Sequence, residues 1–145
     1  MPKSYVAAQS YFFESSPRRV FAALSDPKEL VRWFLSEAKF EPRSGGSFAF
    51  TWLDGYRMEG RLLELRKDRS VTFRWVDSLP QSGTAVTRAR FQVGKRGNGT
   101  LLRLRHSGFR DPRHFAECSA RWAYFLTNLK SVLDHGTDLR SPFDW

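Results

Sequence analysis

Between residues 47 and 106, apolar and polar side chains alternate through five successive segments, and a turn signal separates each from the next. This alternation constrains the fold more than any other feature of the chain. Phe48, Phe50 and Trp52 alternate with Ser47, Ala49 and Thr51, and Met58, Gly60 and Leu62 share one face of residues 56–65. Val71, Phe73 and Trp75 alternate with Thr72 and Arg74; Ala89, Phe91 and Val93 alternate with Arg88, Arg90 and Gln92. Leu102, Leu104 and His106 alternate with Leu101, Arg103 and Arg105. The breaks are Gly45-Gly46, Asp54-Gly55, the charged run 66–69, a loop over 77–83 and the Gly-rich run 94–99. A period of two with such turns predicts antiparallel strands joined by hairpins, with one apolar face and one wet face.

The flanks are different. Residues 5–14, rich in aromatic and small side chains, read as a first strand. Ser16-Pro17 and Asp26-Pro27 each place a capping oxygen before a proline suited to the first helical position, so two short helices follow with a break between them. Val20, Phe21 and Leu24 share a face of the first; Leu30, Trp33 and Phe34 share a face of the second. Asp111-Pro112 repeats the device. After it Phe115, Cys118, Trp122, Phe125, Leu126, Leu129, Val132 and Leu133 recur at three and four, which predicts an amphipathic helix ending at Gly136. The predicted order is one strand, two short helices, five strands and one long helix. A six-stranded antiparallel sheet with one apolar face must cover it, and only the terminal helix is long enough. The expected class is α+β, with a curved sheet wrapped around that helix. A chain of 145 residues suits one domain over 1–145, with 137–145 as a tail.

Composition excludes several functions. No apolar run approaches the length of a membrane-spanning helix, and the N-terminus lacks a secretory signal core, so a cytoplasmic location is expected. One cysteine excludes an internal disulfide, and no histidine pair has the spacing of a zinc motif, so no metal and no cofactor are expected. The net charge is +9, and +8 of it lies in residues 56–106. By strand parity Arg61, Arg74, Arg88, Arg90, Arg103 and Arg105 all point outward from four neighbouring strands. They form either a solvated face or a surface for an acidic partner. Outward positions lack base-stacking aromatics, which argues against nucleic acid.

Four stretches carry a family resemblance: SSPRRVFAALSDPKELVRWF, PRSGGSFAFTW, GNGTLLRLRHSGF and RWAYFLTNLKSVLDHG. Through them the chain resembles the START-like, pollen-allergen-like (SRPBCC) superfamily. Within it the chain is most similar to the C-terminal domain of activators of the heat-shock protein 90 ATPase, although that family often has Gly where this chain has Arg121. The resemblance implies a helix-grip fold and an internal cavity that binds apolar ligands in many members. Functions across the superfamily range over carriers, cyclases, hydrolases and co-chaperones, so the fold does not settle the function.

The inward face of the sheet supplies Phe48, Phe50, Trp52, Met58, Phe73, Trp75, Phe91, Leu102, Leu104 and His106 as cavity candidates. Trp33 and Phe34 would close one end, and Trp122, Phe125 and Leu126 would form the helical wall. These residues either line a pocket for an apolar or aromatic small molecule or simply fill a core. His106 is either a polar anchor or general acid/base, or a structural histidine bonded within the fold. His114 and His135 read as surface residues of the terminal helix. Glu37, Glu41, Glu59 and Glu64 read as solvated charge. Cys118 falls on the apolar stripe as a small hydrophobe with no base beside it. The leading expectation is ligand binding without catalysis, by a monomer or homodimer. The second is a protein-interaction domain docking on an acidic protein through its basic face; the activators carry a further N-terminal domain not found in these residues. A third is a cyclase- or hydrolase-like enzyme using the same cavity, with His106 or an inward carboxylate as its acid/base.

Overall fold

The computed structural model describes residues 4–80 and 83–140. Its elements run β1 (Tyr5–Phe13), α1 (Pro17–Ser25), α2 (Pro27–Trp33), β2 (Glu37–Phe40), β3 (Ser47–Thr51), β4 (Arg57–Arg66), β5 (Ser70–Leu79), β6 (Gly83–Arg96), β7 (Gly99–Phe109) and α3 (Pro112–Lys130). All three helices begin as the proline signals predict. The side chains of Ser16, Asp26 and Asp111 accept from the backbone N–H groups of Arg19, Lys28 and Arg113 at 3.2, 2.9 and 2.8 Å. The terminal helix closes in a π-helical turn, Ser131–His135, and Gly136 stops it at φ 72°, a left-handed conformation that costs glycine little.

The strands form one antiparallel sheet in the order β1-β7-β6-β5-β4-β3-β2. It has seven strands where the alternation predicted six. The additional strand is β2, which pairs Glu37 with Thr51 and Phe40 with Phe48 at the sheet edge. Four residues between a helix end and a glycine turn carry too short an alternation to be read. The loop expected over 77–83 is also shorter than predicted. β5 continues to Leu79 and β6 starts at Gly83, so Asp77 is a strand residue paired with Ala85. Gly60 is needed for close approach: a Cβ there would lie 2.6 Å from the Phe48 ring and 2.7 Å from the Arg74 carbonyl oxygen.

The inner sheet face packs on α3, which buries His114, Cys118, Trp122, Phe125, Leu126 and Leu129. Residues 137–140 of the expected tail are held in place. The Leu139 N–H donates to Asn128 Oδ1 at 2.6 Å, and Arg140 donates to the carbonyls of Leu35 and Val31 at 3.0 and 2.9 Å. These bonds satisfy carbonyl groups at the C-terminal end of α2 and tie the helix pair to the end of α3. The rest of the expected tail lies outside the described residues. No helix among them is long and apolar enough to cross a membrane.

Candidate functional site

The site grows out of the β3–β4 hairpin. Trp52 and Tyr56 bracket its turn, where the Trp52 N–H donates to the Tyr56 carbonyl at 2.9 Å and Gly55 takes φ 90°. This turn, the end of β5 and the middle of α3 surround a cavity of about 350 Å³. Phe34, Trp52, Trp75, Trp122 and Phe125 form its aromatic wall, and Tyr56, Asp77 and Cys118 its polar part; Asp54, Ser78, Glu117 and Arg121 also border it. Phe34 organises the wall. Its ring centroid lies 5.3 Å from Trp52, 5.4 Å from Trp122 and 5.0 Å from Phe125.

Five of the expected cavity residues therefore meet at this opening: Phe34, Trp52, Trp75, Trp122 and Phe125. The others do not border it. Trp33, Phe48, Phe50, Met58, Phe73, Phe91, Leu102, Leu104 and Leu126 are buried in the continuous core. The Phe48 and Phe50 rings are 4.5 Å apart, and Phe73 meets Phe48 edge-on at 5.3 Å and Phe91 at 6.1 Å. The large aromatics thus fill one end of the grip and leave the other open.

His106 lies in the filled part, with no solvent exposure. The Trp122 indole N–H donates to its Nδ1 at 2.9 Å, so the neutral ring carries its proton on Nε2, which sits 2.6 Å from Thr87 Oγ1. Thr87 in turn donates to the Trp75 carbonyl at 3.4 Å. Each member of the chain has its partner, and neither ring nitrogen is left for a substrate. Burial drives the His106 pKa down to about 3, against a smaller opposing pull from Asp77.

The expectation of a surface position for His114 is wrong. It is 5% exposed, and its Nε2–H donates to Asp77 Oδ2 at 2.8 Å. The thiol of Cys118, one helical turn further on, donates to the same oxygen at 3.7 Å, while the Tyr56 hydroxyl donates to Oδ1 at 3.0 Å. Burial first, then the Asp77 carboxylate, pushes the Cys118 thiol up to about 12; the same two causes push Tyr56 to about 12. So Cys118 does have a carboxylate beside it, and that carboxylate disfavours the thiolate. Asp77, His114 and Cys118 are all buried, with one potential ligand atom from each lying within 4.8 Å of the others. Sequence reading missed the trio because Asp77 sat in a supposed loop. The remaining signal was the spacing of His114 and Cys118, which four residues of helix place on one face.

On the outer face the six arginines stand in cross-strand rows. Arg61 pairs with Arg74 and Arg74 with Arg88; Arg90 pairs with Arg105; Arg103 lies opposite Gln92. All six are exposed, and none makes an ion pair with a described carboxylate. Glu37, Glu41 and Glu59 are exposed, Glu64 is partly so and bonds Ser70 Oγ at 3.3 Å, and His135 is exposed as expected.

Residues 14–134 match the family model described as "Activator of Hsp90 ATPase homolog 1-like protein". Among solved structures, the chain is similar to the Aha1 dimer from Colwellia psychrerythraea, with 23% identity and a TM-score of 0.81 over 92% of this chain and 98% of that one. It is similar to protein MLL2253 from Mesorhizobium loti, with 21% identity and a TM-score of 0.83 over 93% and 100% of the two chains. CalU16 from Micromonospora echinospora is 26% identical, with a TM-score of 0.72 over 92% of this chain and 77% of that one. No curated protein matches the sequence.

Proposed function

The chain belongs to the activator of Hsp90 ATPase homolog 1-like family, of START-like fold, and from that premise we propose that it is a small-molecule binding protein whose ligand is apolar or aromatic. One observation carries this reading: the cavity is walled by five large aromatic side chains, with a few polar groups among its lining. Its volume of about 350 Å³ falls within the roughly 300–1,000 Å³ usual for ligand pockets. Flat walls of Trp and Phe suit a flat ligand by stacking and edge contacts. The charged residues Glu117 and Arg121 border the same opening, so a polar substituent on the ligand has somewhere to point. No catalysis is part of this reading; His106, the named acid/base candidate of the enzyme alternative, has both nitrogens engaged.

The test is a panel of lipids, polyketide-like aromatics and amphiphiles scored by tryptophan emission and melting temperature. Trp52, Trp75 and Trp122 border the cavity, so a ligand that enters it quenches or shifts their emission. A panel that changes neither signal removes the proposal. Native mass spectrometry of freshly purified protein adds the mass of any co-purifying ligand and decides between monomer and homodimer.

A second reading is favoured by the arginine rows. Like charges directly opposite on a sheet cost stability, and here no described acid is paired with them. An acidic protein surface laid on that face would relieve the repulsion. Binding of this kind weakens with salt, and the double variant Arg88→Glu, Arg103→Glu abolishes it. Co-purification that the double variant leaves unchanged removes this reading.

A further inference from the structure

We propose that Asp77, His114 and Cys118 form a three-donor site for a zinc-type transition-metal cation, with a fourth position open to the cavity. The donor set is a carboxylate oxygen, an imidazole nitrogen and a thiol sulfur, the three kinds of protein atom that zinc takes. His114 and Cys118 come from one face of α3, and Asp77 comes from β5, where its pairing with Ala85 fixes the backbone. All three are buried, and their donor atoms lie within 4.8 Å of one another.

The distances fit. Tetrahedral zinc, with bonds of about 2.0–2.2 Å to nitrogen and oxygen and about 2.3 Å to sulfur, separates neighbouring donor atoms by about 3.3–3.6 Å, or about 3.5–3.7 Å where one is sulfur. The observed Asp77–Cys118 separation of 3.7 Å already matches that spacing, and the Asp77–His114 separation of 2.8 Å has to open by only about 0.5–0.8 Å. No pair has to close by more than about 1.3 Å to reach it from the 4.8 Å bound. The Tyr56 hydroxyl holds Oδ1 of Asp77 at 3.0 Å and so turns Oδ2 toward the other two donors, as outer partners of metal ligands commonly do. Asp77 and Cys118 also border the cavity, which leaves room on that side for a water or a ligand atom. Three protein donors with an open fourth place is the pattern of reactive rather than purely structural zinc sites.

Metal entry replaces two hydrogen bonds by three coordinate bonds. The Cys118 thiol gives its proton to solvent. The proton on His114 Nε2 moves to Nδ1, which has no hydrogen bond among the described residues. Oxidation states do not change.

The experiment uses the full chain, stripped of metal with a chelator, and Co²⁺ and Zn²⁺ as probes. Cys118 is the only cysteine, so a thiolate-to-cobalt charge-transfer band has a single possible source. One equivalent of Co²⁺ is expected to produce that band, with a tetrahedral visible spectrum, and one equivalent of Zn²⁺ to bleach both. Zinc raises the melting temperature of the wild type but not of Cys118→Ser or His114→Gln. Tyr56→Phe keeps the band and weakens binding about 10–100-fold, the usual cost of losing an outer partner. Cobalt binding without the thiolate band overturns the proposal, as does the absence of any one-equivalent binding. Either result identifies the trio as a hydrogen-bonded cluster only. Both readouts on the wild type stand even if a variant fails to fold. Failure here leaves the apolar-ligand reading untouched, since the aromatic wall does not depend on the metal.

Discussion

His106 and His114 are both buried and both face the interior between sheet and terminal helix, yet they sit in opposite kinds of surroundings. His106 lies behind the cavity wall, its ring 5.9 Å from Trp75 and 6.2 Å from Trp122. Trp122, Thr87 and the Trp75 carbonyl form a closed chain with it, and burial holds its ring neutral. His114 stands at the open end. It shares one carboxylate oxygen with a thiol, and that carboxylate borders a cavity. Burial alone therefore does not decide what a histidine does. A ring whose two nitrogens are both committed to the fold has no chemistry left, whereas a ring bonded to a shared, cavity-facing carboxylate keeps some.

Truncating both histidines gives the largest expected effect. His106→Ala removes a ring from the packed core and strands the Trp122 indole N–H, while the Thr87 hydroxyl keeps its bond to the Trp75 carbonyl. It should cost roughly 3–5 kcal/mol, from lost packing and one orphaned buried donor. His114→Ala removes a buried ring from Phe109 and one partner from Asp77, which keeps Tyr56, so no donor is orphaned and the cost should be smaller, about 2–3 kcal/mol. Urea unfolding at neutral pH measures both. Equal losses would break the contrast between the two histidines.

How much of this contrast is legible in the sequence depends on distance along the chain. Strand parity put His106 inward because Leu102 and Leu104 fix the phase of β7 locally. The same local logic gave the helix starts at Pro17, Pro27 and Pro112, the outward arginines and the long terminal helix. What it missed involves partners far apart. Asp77 and His114 are separated by 37 residues, and Asp77 sits where β5 outlasts its hydrophobic alternation, so its strand character comes from pairing with β6. Strand β2 is visible only once β3 lies beside it. The cavity was the hardest feature to place. Every inward aromatic has the same signature in sequence, and which of them fill space and which enclose it is decided by how the side chains meet in three dimensions.

The pH dependence of stability sharpens the contrast further. The folded-state pKa of His106 is about 3, below the ordinary value of 6.5, because burial disfavours the imidazolium. Between those two values the unfolded chain binds a proton that the folded chain refuses, so stability falls as pH falls. The contribution is fully present above pH 6.5, and by pH 5 this one group should have cost roughly 2 kcal/mol. The two neighbouring groups acting on it pull in opposite directions, Asp77 raising its pKa and His114 lowering it. Denaturant midpoints between pH 8 and 5 test this. His106→Gln should flatten that part of the profile, and a profile unchanged by the substitution would mean that the ring is protonated in the native state.

A smaller effect is expected at the open end. Cys118 is pushed up to about 12 by burial and, next, by Asp77. Asp77→Asn removes the second cause and leaves the first. Alkylation of the thiol at pH 8 should therefore quicken by about three- to tenfold, through a larger thiolate fraction. Little change in rate would mean that access, and not the neighbouring carboxylate, limits the reaction. Such a result would place Cys118 closer to the closed character of His106 than its position on the cavity suggests.

The outer face supplies the opposite extreme from both histidines, since its six arginines are exposed and none pairs with a described carboxylate. Arg74 stands between Arg61 and Arg88 in one cross-strand row. Arg74→Glu turns two repulsive pairs into attractive ones, each worth about 0.2–1 kcal/mol on an exposed sheet face. The variant should therefore be slightly more stable than the wild type. The gain should shrink as salt is raised, because solvent-exposed charges are screened. The equivalent reversal of a buried partner, at Asp77, has no such salt dependence to exploit. If Arg74→Glu destabilises the protein instead, then the arginine stems, and not the charges, hold that face through packing over Thr72, which is buried to 6% exposure on the outer side of the sheet.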